Sequence, residues 1–335
     1  MRLLKLGLAG PLAVVLLSAG TAQCADPVKI RVAWVTPIST WASILLEKKD
    51  LAKHLGKSYA LEPVRFAGTP PMITALAVGE LEIADLAYPT IPIAIENAGM
   101  GDLRIIADEL QDGVQGYYSQ EYMVLADGSI KKVEDLKGKV LATNALGSAV
   151  DIAMRAMLRK HGLEDKRDFT TIETPFPTMR AMLTEKKADL VTAVVPFAFD
   201  PELRKIACTL FDEKEALGVT QLTAWTARKP FLDKNRAAMV DFMEDTLRIT
   251  RWFLDPANQK DVAEIAARIT GQPSERFNWM FTRRDLYHDP NMLPNLDALQ
   301  SNVDLVKELG YIKTSVDIKK HADLSIVKEA ADRLK

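Results

Sequence analysis

The residues with the most chemical potential in this chain are small or hydroxylated and stand ahead of predicted helices. Ser39 and Thr40 precede a helix predicted over residues 40–54. Gly68 and Thr69 precede one that opens on Pro70 and Pro71, and Gly147 and Ser148 precede one predicted over residues 149–161. A helix N-terminus leaves backbone N–H groups free and carries a partial positive charge, so each of these starts suits an anion. Single caps of this kind are ordinary and mostly bind nothing. Three of them facing one cleft would read as readily as an anion site as ordinary capping. Trp41, Tyr88, Phe176, Phe197 and Trp225 lie in or beside the same loops. They either sandwich a planar or apolar part of a ligand or seal hydrophobic cores.

The charged candidates are fewer. Arg65 and Arg180 have the fork geometry to clamp a carboxylate or sulfonate, though each reads first as a solvated surface cation. Asp85 is odd, because it interrupts the apolar run Ile83–Ala87. A buried charge needs a partner, so Asp85 either caps a nearby loop or meets a ligand cation. No nucleophile elbow, Walker loop, HExxH or paired-cysteine motif occurs, and Gly99–Gly101 is too bare for a phosphate loop. His54, His161, His288 and His321 are scattered without metal-ligand spacing. No catalytic residue, metal ligand or cofactor is therefore predicted.

The elements that must hold these residues come in two similar sets. Thr69–Pro89, TPPMITALAVGELEIADLAYP, is echoed by Phe176–Pro196, FPTMRAMLTEKKADLVTAVVP, with Met72 on Met179, Leu76 on Leu183, Ile83 on Leu190 and Pro89 on Pro196. Each copy reads as a short helix, a charged turn and a buried strand ended by proline. Strands predicted at 28–35, 60–66 and 102–108 surround the first copy, and strands at 139–143 and 169–173 surround the second. That order is an α/β pattern written twice, so two lobes are expected with a ligand between them. Residues 117–126 and 222–228 are read as extended crossings between lobes. From residue 231 onward helices dominate, at 237–253, 258–269, 295–309 and 323–333, packing on the first lobe. The expected organisation is 26–118 and 226–335 for lobe 1, with 119–225 for lobe 2.

Ahead of these elements, Arg2 and Lys5 introduce an apolar run over Leu6–Leu17, followed by Ser18, Ala19, Gly20 and Ala22. This is the pattern of a cleaved signal peptide over residues 1–25. Gln23 before Cys24 departs from the small residue a lipid-anchor site wants, so a lipid anchor at Cys24 is not expected. Only Cys208 then survives processing, and no disulfide framework follows. A net charge of −2 over 335 residues gives no footprint for nucleic acid or an anionic membrane surface.

These residues resemble the periplasmic substrate-binding proteins of ABC importers for nitrate, sulfonates and taurine, a superfamily that includes binders of thiamin pyrimidine precursors. The resemblance rests on IRVAWVTPIST, TPPMITALAVGELEIADLAYP, VEDLKGKVLATNALGSAVDIAMRAMLRKHGL, TMRAMLTEKKADLVTAVVPF and the helical C-terminal third. It implies a two-lobed α/β binding protein, type II-like, each lobe a mixed sheet flanked by helices. By that resemblance the ligand site falls on Ser39, Thr40, Trp41, Gly68, Thr69, Ala87, Tyr88, Gly147, Ser148, Val195 and Phe197, to which Arg180 is added as an anion clamp. It implies a monomer in the periplasm that captures a small organic anion and delivers it to an ABC permease and its ATPase, without cofactor. A thiamin pyrimidine precursor is the alternative ligand, and a sensor input the alternative role. An enzyme on this scaffold is disfavoured by the signal peptide and the lack of a Cys-rich motif. The NALGSA loop lacks the aromatic or histidine common there, and Asp85 takes a position usually apolar. Both departures weigh against nitrate and taurine, and the aromatic loops favour an aromatic sulfonate or carboxylate.

Overall fold

In the computed structural model, residues 26–335 are described; the signal peptide expected over residues 1–25, with Cys24, lies outside them. Short β-rich runs build two five-stranded sheets. The first half supplies β1 (Val28–Trp34), β2 (Tyr59–Arg65), β3 (Ile83–Ala87) and β4 (Leu103–Asp112). The next stretch supplies β5 (Glu121–Leu125), β6 (Lys139–Thr143), β7 (Phe169–Glu173), β8 (Leu190–Ala193) and β9 (Ala207–Asp212), and β10 (Thr220–Arg228) follows. The orders are β2-β1-β3-β10-β4 and β7-β6-β8-β5-β9.

The two sheets share one wiring plan. In the first, β1 runs parallel to β2 and β3, and β10 runs antiparallel to β3 and β4. In the second, β6 runs parallel to β7 and β8, and β5 runs antiparallel to β8 and β9. The antiparallel strand of each sheet thus enters from across the lobe boundary, and the chain crosses twice. The repeated segments occupy equivalent places. The helix α1 (Pro70–Ala77) leads to β3, and the helix α4 (Met179–Thr184) leads to β8, with α2 (Thr90–Glu96) and α3 (Ala149–Lys160) between them in sequence. Met72, Leu76 and Ile83 are buried in one copy, and Met179, Leu183 and Leu190 in the other.

Three local expectations change. The division at residue 225 falls inside β10, whose whole length pairs with the first sheet, so residues 220–225 join lobe 1 rather than lobe 2. An apolar run signals a buried strand and not which sheet takes it. Residues 117–126 do not form one extended crossing, because only Glu121–Leu125 is strand. The helix predicted over 40–54 is instead two 3-10 segments, Trp41–Ser43 and Leu45–Leu51, the second kinked at Lys48, which is non-helical with φ −125° and ψ 45°. Its backbone donors are claimed from outside: Glu109 Oε1 accepts from Trp41 N at 2.5 Å, and Asp245 accepts from Lys53 N at 2.9 Å and His54 N at 2.8 Å. Tertiary hydrogen bonds override a modest helical preference here.

The C-terminal helices form at Arg236–Leu254, Gln259–Thr270, Leu296–Glu308 and Ser325–Asp332. Arg236–Leu254 buries Met239, Phe242, Met243 and Leu247. Phe242 meets the rings of Tyr59 and Trp225 at 5.3 and 5.6 Å, which seats that helix on the first sheet. Trp225 is thereby a core residue.

Candidate ligand-binding cleft

The C-terminal ends of β1 and β3, the middle of β10, the loop before α1, the start of α3 and the segment after β8 converge on a cavity of about 70 Å³. One water needs roughly 10–15 Å³ on this measure, so the space admits several waters or part of a small solute. Ser39, Thr40, Gly68, Thr69, Ala87, Ser148 and Val195 all line it, from both lobes. The wall also holds Asp85 and Phe176, and residues the sequence did not single out: Thr36, Gln120, Asn144 and Thr223. Asn144 lay inside the NALGSA motif and was legible there. Thr223 sits in β10, and only the strand's placement in the first sheet brings it to the cleft.

Five expected site residues lie elsewhere. Trp41 is buried against Phe253 and His288, with ring separations of 5.5 and 4.6 Å, because its segment turns into lobe 1. Tyr88 is buried beside the cavity, and its hydroxyl donates to Ala149 O at 2.9 Å, one lobe to the other. Gly147 takes the left-handed conformation, φ 79°, that turns the chain into α3. Its N–H donates to Asp151 Oδ2 at 2.8 Å. Arg180 is half exposed and paired with Asp200 at 3.0 Å, which leaves no clamp for the cavity. Phe197 lines a separate outer chamber of about 420 Å³, together with Trp34, Arg65, Phe199, Arg276 and Trp279. Arg65 lies over the Trp34 ring there, 5.2 Å from its centroid.

The lobes are in contact around the inner cavity. Besides the Tyr88 bond, Asn144 Nδ2 donates to Ala67 O at 2.9 Å, and Ser39 Oγ donates to Val195 O at 3.3 Å. A Cβ on Gly68 would sit 2.8 Å from both Ala145 Cβ and Asn144 Nδ2. Glycine is required there by the approach of the opposite lobe.

Most of the hydroxyls assigned to an anion are already engaged. Thr40 Oγ1 donates to Thr36 O at 2.7 Å, and Ser148 Oγ donates to Asn144 Oδ1 at 2.9 Å. Ser148 caps α3 as its spacing to Asp151 predicts, accepting from Asp151 N. Asp151 itself stands in the first turn, buried and bound by Arg155 Nε at 2.9 Å, and it offsets the positive end of that helix. Thr69 is the exception. Its backbone is already helical, it makes no cap, and its buried hydroxyl has no protein partner.

Buried carboxyls gather at and behind the Asp85 wall of the cavity. Asp85 is fully buried, and burial pushes its carboxyl up to about 7, with the Thr223 hydroxyl opposing the rise and the Asp108 charge adding to it. Glu109 is driven well above the ordinary carboxylate range by burial and then by Asp85. Behind it, burial lowers His288 to about 4, and its Nδ1 lies 2.7 Å from Glu109 O. Among the described residues lining the inner cavity there is no Lys, Arg, His or Cys.

Known proteins place this architecture. No curated protein sequence matches the chain. The alkanesulfonate-binding protein SsuA from Xanthomonas axonopodis pv. citri, solved with MOPS, is similar in structure: TM-score 0.69 and 17% identity over 90% of this chain and 99% of that one. The periplasmic nitrate-binding protein NrtA from Synechocystis PCC 6803 gives TM-score 0.71 and 15% identity over 92% and 89%. The desulfurization enzyme DSZB gives TM-score 0.66 and 14% identity over 92% and 100%. The fold is therefore the two-lobed one of periplasmic binding proteins, and it is shared by at least one enzyme. The model of the NMT1-like family matches residues 23–267, more than half of the chain, and the protein belongs to that family.

Proposed function

We propose that this protein is the extracytoplasmic solute-binding component of an ABC importer, a monomer that closes two lobes over a small organic solute. It then delivers the solute to a membrane permease and its ATPase. The observation that carries this reading is the small cavity walled by both lobes and bridged by hydrogen bonds between them. Such a cleft couples ligand capture to an open–closed equilibrium, and a permease that favours the closed form reads out occupancy. The signal peptide expected over residues 1–25 supports a periplasmic location, where that delivery would take place.

An enzymatic role has weaker support. The inner wall offers no cysteine, histidine or lysine among the described residues, and Cys208 lies exposed on β9. The organic anion implied by the resemblance finds no counter-cation on that wall, so the reading carried forward is a small polar solute.

The test is a thermal-shift screen of the mature protein after unfolding and refolding to strip bound solute. A true ligand at 100 times its dissociation constant stabilises the fold by about 2.7 kcal/mol. A folded protein that responds to no small molecule, including those of a periplasmic extract, refutes the proposal.

A further inference from the structure

We infer that the solute held in the inner cavity presents an N–H-donating nitrogen, a protonated amine or an amidine-like edge, to the Asp85 carboxylate. The inference rests on the solute-binding reading and names the class of ligand that the site selects.

The contrast among buried aspartates carries it. Asp108 accepts from Gln221 Nε2 and Asp289 N, Asp112 from Ser119 Oγ and Gln120 N, and Asp245 from two backbone N–H groups, Tyr59 and Arg248. Asp151 and Asp168 are each bound by an arginine. Of the buried aspartates among the described residues, Asp85 alone has neither oxygen in a closed hydrogen bond, and it is the one in the cavity wall. The one protein donor beside it is the Thr223 hydroxyl, itself unpartnered, which can serve at most one of the two oxygens. No N–H reaches it, so it caps no loop. Protonation relieves the buried charge but not the hydrogen-bonding deficit, since a neutral carboxyl still has an O–H and a carbonyl to satisfy. A buried carboxyl left in that condition costs several kcal/mol unless a ligand supplies the donors.

The surroundings agree in sign. The other wall groups without a partner are the Thr69 and Thr223 hydroxyls, which can accept or donate, and the Gln120 amide oxygen. Ser39, Thr40, Asn144 and Ser148 already give their protons to protein acceptors. The inner cavity thus offers one ionisable group, the Asp85 carboxyl, and no cation, the reverse of what nitrate or a simple sulfonate requires. Of these two chambers only the outer one is lined by arginines, Arg65 and Arg276.

The experiment uses the ligand-stripped mature protein in mildly alkaline buffer and titrates matched pairs that differ only at the nitrogen. These are 2-aminoethanesulfonate against 2-hydroxyethanesulfonate, 3-aminopropanoate against 3-hydroxypropanoate, and benzylamine against benzyl alcohol. Solutes retained from a periplasmic small-molecule extract are identified by mass spectrometry alongside. The amine member, or a nitrogen-bearing extract solute, is expected to bind about tenfold to hundredfold tighter than its hydroxyl twin, as for a hydrogen bond to a buried charge. Asp85→Asn is expected to erase that ratio. A nitrogen-free solute that binds best, or a preference unchanged in Asp85→Asn, overturns the inference while the solute-binding reading stands. No binding from pairs or extract overturns both. Because the pairs are compared on the unmodified protein, the test holds even if the variant does not fold.

Discussion

Asp85→Asn should make the ligand-free protein more stable, and only at higher pH. A carboxyl of ordinary value 3.8 that is held at about 7 in the folded state binds a proton more tightly folded than unfolded. Between those values the folded protein carries the extra proton, so stability falls as pH rises through the interval and levels off above about 7. The full difference corresponds to ~4 kcal/mol at 1.36 kcal/mol per pH unit, an upper bound because neighbouring groups adjust. Those neighbours are Thr223 and Trp225 on β10 and Asp108 and Glu109 on β4; the two acids are also raised by burial, and losing the Asp85 charge eases both. Asparagine keeps the shape and removes the titration. Taking half of the bound, ~2 kcal/mol, gives a rise in melting temperature of roughly 4–8 °C above pH 7, at the 2–4 °C per kcal/mol expected of larger domains. Below about pH 4 the two proteins should melt together. The assay is calorimetric melting of both proteins, stripped of solute, across that range. A variant that is less stable than the parent at alkaline pH, or a difference that ignores pH, refutes the account of Asp85 as an uncompensated buried carboxylate.

Other consequences concern closure. Gly68→Ala forces a Cβ against Ala145 Cβ, which has no rotamer to yield, at a cost of about 1–3 kcal/mol levied on the closed form alone. Solute affinity should fall about fivefold to 150-fold with the fold intact, and small-angle scattering with solute present should show a more open particle; unchanged affinity contradicts the placement. Tyr88→Phe deletes the donor to Ala149 O and should weaken binding about fivefold, the effect of one hydrogen bond of ~1 kcal/mol, measured by titration calorimetry. Arg180→Ala removes only a half-exposed pair with Asp200, so binding and melting temperature should both stay within about 1 kcal/mol of the parent. A large loss of affinity in Arg180→Ala would restore it as an anion clamp.

The architecture was legible in the sequence because the repeat is written in residues that obey local rules. Met72 and Met179, or Ile83 and Leu190, point into equivalent cores, and a helix–turn–strand unit needs only its own periodicity to be seen. What periodicity cannot carry is partnership. The β10 strand announces itself as a strand while its sheet depends on residues more than a hundred positions earlier, and the segment after Thr40 loses its helix to carboxylates from Glu109 and Asp245. The same limit divides the site. Ser39, Gly68 and Ser148 sit at loop positions fixed by strand ends, and they reach the cavity. Trp41, one residue beyond Thr40, faces the core, because in an irregular segment direction is set by packing. Asp85 is the opposite case: a residue wrong for its strand, visible at once, whose meaning needed the structure. Local rules are broken where function requires it. The strand β3 buries a carboxyl beside Thr223, Trp225 and the acids Asp108 and Glu109, and the fold closes no hydrogen bond to it. The same missing donor destabilises the empty protein and sets which solute relieves it, so stability and specificity should change together at this one position.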